Sequence, residues 1–189
     1  MVSGLGVFAE SIAIVPFVHT PKKPGLRGLI VGYEATPAGT LLLKYPETGQ
    51  ILYYKTKAPD HGKAKQLPGI AVATDINWKA DITVIAVQGT PMNELAAVRP
   101  LIADDGLVAV AVDDYKKSND VRKSLKSLFP FVVPYRAHMP EPIVFFLCSR
   151  ATVKRCRPVP ESAEHLSDQY LPCLFTFAKD EYRFIMQGI

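Results

Sequence analysis

The stretch GLRGLIVGYEATPAGTLLLKYP, which begins at Gly25, has the spacing of a strand that runs into a ligand-binding loop and then a helix. The apolar run Leu29, Ile30, Val31 stops at Gly32, and helix formers resume at Leu41. Glycines in such a loop let backbone N–H groups approach a phosphate or a nucleoside closely. Gly32, Gly39 and Thr40 stand at its ends, but Tyr33, Glu34, Ala35, Thr36, Pro37 and Ala38 fill the space between them. Pro37 also removes one backbone donor.

Other residues able to do chemistry sit at strand ends. Asp75 follows the apolar stretch GIAVAT, where an acid can cap the turn into Ile76, Asn77 and Trp78. Gln88, in AVQGTPMN, can accept a hydrogen bond from an amine, but an amide is no general base near neutral pH. Asp113 and Asp114 follow another apolar run, where paired acids either approach the same rim or are solvated turn residues. The histidines His19, His61, His138 and His165 lack metal-ligand spacing. Cys148, Cys156 and Cys173 form an odd set without a CxxC pair, the pattern of reduced thiols in a cytoplasmic protein.

Composition limits the function classes. With 189 residues and 48% hydrophobic side chains, the chain can bury one sizeable core. Its longest apolar runs, Leu107 to Val112 and Ile143 to Cys148, are strand-length and fall well short of the roughly 20 residues of a membrane-spanning helix. The opening MVSGLGVFAESIAIVPF has no basic residues ahead of its apolar ones, so it does not read as a secretory signal. The net charge of +4 is scattered, apart from knots at Lys55, Lys57, Lys63, Lys65 and at Lys154, Arg155, Arg157. No aromatic residues interleave the first knot to stack bases, which argues against nucleic acid as a partner.

Positioning these residues requires strands and helices in alternation. Strands are expected at 29–31, 51–55, 70–74, 82–87, 107–112, 132–136 and 143–148, and helices at 39–45, 93–102 and 119–129. Continuous apolar strands suit a parallel sheet covered on both faces, hence a three-layer α/β domain. Ser118 or Asn119 is expected to cap the third helix and Pro130 to close it. ADDGL from Ala103 reads as a turn out of a helix into a strand. Trp78 reads as a core or sheet-edge residue. The divisions expected are a lead-in over residues 1–28, a Rossmann-like domain over 29–150 and a proline-broken tail over 151–189, whose YLPCLFTF segment is too apolar to stay in water.

The last two strands are joined by RAHMPEP, short enough for an antiparallel hairpin. The stretch AIVPFVHTPKKPGLRGLIVGYEATPAGTLLLKYP resembles the entry to the catalytic domain of spermidine synthases, and GIAVATDI, ADITVIAV, LIADDGLVAVAVDDY and VRKSLKSLFPFVVPYRAHMPEPIVFFLCSR follow in that family's order. The resemblance implies a Rossmann-like sheet of the class I methyltransferase or spermidine-synthase type, mostly parallel with a C-terminal antiparallel hairpin. It also implies an adenosyl site at Gly32, Glu34, Gly39, Asp75 and Gln88, with Asp75 placed to meet the adenine amino group.

Several family positions differ. Where the family carries a carboxylate for the ribose hydroxyls, this chain has YYKTK, and the lysines Lys55 and Lys57 offer no acceptor. Where the family carries aspartates that deprotonate the attacking amine, AVQGTPMN has none, leaving Glu34 and Asp113 as substitutes. His19 matches a position near the active-site entrance. The family's small N-terminal β-domain is expected to be essentially absent.

The expectation is therefore a catalytically degenerate spermidine-synthase-like domain acting by binding or assembly. The alternatives are an active aminopropyltransferase or methyltransferase, and a regulatory subunit of an active relative. S-adenosylmethionine, its decarboxylated form, methylthioadenosine and a polyamine are the ligands implied, and no metal. VFAESIAIVPFV and YLPCLFTF, with Phe8, Phe17, Leu174 and Phe175, are the apolar surfaces expected to support a homo-oligomer or complex.

Overall fold

Alternate residues of a strand face opposite sides of a sheet, so a run such as Leu107 to Val112 can be apolar throughout only if both sides are covered. A computed structural model of the chain describes residues 10–12, 25–32, 36–45, 48–54, 69–73, 75–87, 91–112, 115–136, 143–159, 161 and 163–187. Its strands are β1 (Leu26–Val31), β2 (Thr48–Tyr54), β3 (Ile70–Ala73), β4 (Ala80–Ile85), β5 (Ile102–Val112), β6 (Phe131–Arg136) and β7 (Val144–Ser149). They form one seven-stranded sheet in the order β3-β2-β1-β4-β5-β7-β6. β1 to β5 pair in parallel, and β7 runs antiparallel to both β5 and β6.

Each face carries its own core. On the first, Leu107, Ala109 and Ala111 of β5 meet Ile30 of β1, Phe145 and Leu147 of β7, and Leu41 and Leu42 of α1 (Thr36–Leu42). Leu166, Leu171 and Leu174 from the C-terminal segment close the rest of that face. On the second, Val108, Val110 and Val112 meet Leu95 and Val98 of α2 (Pro91–Val98), Val121 and Leu125 of α3 (Ser118–Lys126), and Ile185 of α4 (Lys179–Gln187).

Local details differ from the sequence expectations for identifiable reasons. A 3-10 turn at Tyr115–Lys117 leads straight into α3, so Lys117 is already helical and has no side-chain cap bond. Ser118 and Asn119 lie inside the helix and are buried instead of capping it. ADDGL is no helix-to-strand turn. α2 gives way to a 3-10 turn at Arg99–Leu101, and β5 already starts at Ile102. Partners step from Ala80 with Ile102 to Ile82 with Leu107, so residues 103–106 bulge out of the strand. Gly106 fits there because a Cβ would stand 2.9 Å from the carbonyl oxygens of both Ala103 and Ala80.

The proline-broken tail ends in a regular helix. Glu181 of α4 reaches back to accept the Ala178 N–H at 3.0 Å, one half of a capping box, and also accepts from Arg136 Nη1 at 2.5 Å. In YLPCLFTF, Leu171 and Leu174 are buried in the chain's own core and Phe175 packs against it, which withdraws them as surface for a partner. Phe8 and Phe17 lie outside the described residues. Phe131 and Tyr182 are the large apolar side chains exposed among those described.

One connection is unusually short. Residues 74–79 must carry the chain from β3 past β2 and β1 to β4. Three inter-strand spacings take about 14 Å and the return from the level of Ile85, where β3 ends, to Ala80 takes about 17 Å more along the strands, a diagonal of about 22 Å, and an extended segment of this length reaches only about 20–24 Å. No length remains for the helix that usually joins parallel strands. Ile76 and Trp78 lay this taut crossover on the second core. Arg27 stands over the Trp78 ring at 5.8 Å, and Lys79 Nζ donates to the Pro100 carbonyl.

Candidate functional site

Strand order reverses between β1 and β4, with α1 leaving on one face and α2 on the other. In open α/β sheets, ligands bind in the crevice beyond the carboxyl ends of the strands at such a point. Gly32 stands at the end of β1 with φ +89°, a conformation that favours glycine. A Cβ on it would run into the Ala86 carbonyl oxygen and lie 2.6 Å from Val87 Cγ1. The Ala86 N–H donates to the Val31 carbonyl at 3.0 Å, which holds the two chains together. Strand packing alone therefore requires this glycine. Gly39 serves helix-to-sheet packing, since its Cβ would lie 2.7 Å from Ile70 Cδ1 and 3.2 Å from Ile30 Cγ1.

A cleft of about 460 Å³ opens elsewhere, lined by Tyr54 at the end of β2, by Asp75, Ile76 and Asn77 of the taut crossover, and by Ala97, Pro100 and Leu101. It lies beside α2, where a conventional crossover helix would have covered the sheet. Asp75 and Asn77 are exposed, while Tyr54 and Ile76 are half-buried. Among the described residues Asp75 has neither a hydrogen-bond nor an ion-pair partner. The chemistry of this set is definite. A carboxylate only accepts hydrogen bonds, Asn77 both donates and accepts, and Tyr54 offers a ring face and a hydroxyl. Ile76 and Leu101 supply apolar contact, so a flat ring carrying an N–H donor suits the lining.

Of the residues expected from sequence, Asp75 is in this cleft, whereas Gly32 and Gly39 are not among those lining it. Glu34, Gln88, Asp113, Lys55, Lys57 and His19 lie outside the described residues. Tyr54 and Asn77 were missed. Tyr54 was legible in the alternation of YYKTK, because Tyr53 faces the first core and Tyr54 therefore the other side. Asn77 carried no signal of its own.

Displaced ionisation lies elsewhere in the molecule. Burial, with a smaller contribution from Cys148, pushes the Tyr135 phenol well above its ordinary value, and burial pushes the Cys148 thiol up as well. The Val159 N–H, and then Arg155, hold the Asp168 carboxyl below the usual range. None of these lines the cleft. Among the described residues, no group of three or more His, Cys, Asp or Glu could hold a metal, and no helix is long and apolar enough to cross a membrane.

No protein-family model matches the sequence, and no curated protein matches it. Solved structures do match. The spermidine synthase of Thermotoga maritima superposes with a TM-score of 0.73 at 14% identity, covering 95% of this chain and 74% of that one. A spermidine synthase in complex with the transition-state analogue AdoDATO gives 0.74 at 14% identity, with the same 95% and 74% coverage. Human methyltransferase-like protein 13 in complex with SAH gives 0.50 at 15% identity, covering 100% and 87%. At such identities the likeness is one of fold. The mostly parallel sheet with its antiparallel β7 is a three-layer Rossmann-like fold of the spermidine-synthase and methyltransferase type.

Proposed function

We propose that this domain acts by binding and not by group transfer, and that its ligand enters the Tyr54–Asp75–Asn77 cleft through a flat, amino-bearing ring such as adenine. The observation that carries the reading is Asp75, a carboxylate without a partner among the described residues, which lines a cleft of about 460 Å³ together with Tyr54. The remainder of an adenosyl ligand finds less support. β2 ends in Tyr54 and the sequence continues with lysines, so the ribose hydroxyls meet no carboxylate there. The segment after β4 reads AVQGTPMN until Glu94, without a group to take a proton from an attacking amine. Loss of a base and of positioning together removes most of what accelerates such a transfer.

Calorimetry and a chromatographic assay test this reading. Methylthioadenosine should bind the wild type and not Asp75→Ala, while S-adenosylmethionine and its decarboxylated form bind more weakly than micromolar. Incubation of decarboxylated S-adenosylmethionine with putrescine or spermidine should release no methylthioadenosine above the no-protein control. Release above that control would establish the transferase reading, and loss of it in Glu34→Gln or Asp113→Asn would locate the base.

A further inference from the structure

The first core has an uneven cover. α1 lies over β1 and β2, but none of the helices α1 to α4 contributes to this core over β7 and β6. That area is closed by the irregular C-terminal segment through Leu166, Leu171 and Leu174, together with Ile12 from a helical turn at residues 10–12. The side chain of Glu10 joins the two pieces. Glu10 Oε1 accepts the Glu164 N–H and Glu10 Oε2 accepts the His165 N–H, each at 2.7 Å, across 154 and 155 positions of sequence. Glu10 is only 9% exposed, and Ser11 and Ile12 beside it are 0% and 1% exposed.

We propose that Glu10 is the latch of a two-piece strap, in which residues 10–12 and 163–175 close over the first face as one unit. A buried carboxylate held by consecutive backbone N–H groups is a strong, charge-assisted contact. Removing either piece strands a charge or two donors, so each piece docks more weakly without the other. Asp168, inside the second piece, ties it to the segment just upstream by accepting the Val159 N–H at 2.7 Å and pairing with Arg155. That segment is held to the body of the domain by the Tyr45 hydroxyl, which donates to the Pro158 carbonyl at 3.5 Å. Opening of the strap therefore uncovers Tyr135, Phe145 and Leu147 on one face while the helices of the other stay in place.

Hydrogen exchange of the full chain, read by peptide, tests the latch. In Glu10→Ala, amides within 163–175 should exchange about tenfold faster or more, as expected from two lost bonds to a charged group, with β4 and β5 unchanged. Glu10→Gln keeps the volume and one acceptor and should show a smaller acceleration in the same peptides. It carries the test if Glu10→Ala does not fold. Coupling is reciprocal, so Leu174→Ala should speed exchange at residues 10–12. Unchanged exchange over 163–175, or equal acceleration throughout the sheet, would overturn the proposal.

Discussion

Among the described residues, Thr83 and Tyr135 bury their hydroxyls without a hydrogen-bond partner, one in the central strand β4 and the other between Phe145 and Phe175. An unmet buried hydroxyl costs about 1–3 kcal/mol, so Thr83→Val and Tyr135→Phe should each raise stability by about 1 kcal/mol, read as a higher urea midpoint at unchanged slope. Tyr135 and Cys148 also set an alkaline limit. Their ordinary values are 10.0 and 9.0, and burial raises both in the folded chain. Above those values the unfolded chain has lost protons that the native state retains, so stability, complete below about pH 9, falls as pH rises further. A Tyr135→Phe, Cys148→Ala double variant should flatten that fall in denaturation series between about pH 8 and 11. At this scale the sequence was legible where chemistry is local. Asp75 was picked out by its place after a strand, and it lines the cleft. Gly32 looked like part of a ligand loop, yet its immediate cause is the backbone of Ala86, more than fifty positions away and invisible to local pattern.

Elements were easier to read than their ends. All seven expected strands are present, and several of them, β5 and β7 above all, follow from continuous apolar runs, because burial on both faces leaves that mark. Ends depend on neighbours. The cap expected at Ser118 failed because a 3-10 turn already occupied the approach, and ADDGL became a bulge because two carbonyls crowd Gly106. α4 was missed because the prolines ahead of it suggested an irregular tail throughout. Its start rests on Glu181, which bonds the Ala178 N–H and Arg136 together. Glu181→Ala should lower stability by about 1 kcal/mol, the scale of a lost cap with little added by a half-exposed ion pair. Glu181→Gln, which retains the acceptor, should recover much of it in the same thermal melts.

Across the whole molecule, the layer arrangement was foreseeable and the site was not. Alternation within β1, β5 and β7 divides the core into two faces, and the sequence carries that division residue by residue. The cleft depends instead on a missing element, since it exists where a crossover of residues 74–79 is too short to be helical. A segment stretched between two anchored strands is constrained in its length before its composition. Asn77→Ala should therefore leave stability nearly unchanged, whereas deleting Asn77 should undock β3, seen as rapid exchange at Ile70 to Ala73 with β5 still protected. Two added glycines would slacken the span at a loop-closure cost of only about 0.6 kcal/mol or less, yet they would release the wall that holds Asp75 beside Tyr54. The chain at this point behaves as a ruler: divergence in residue type can pass through it freely, while a change in residue number alters whether a recess exists for any molecule to enter.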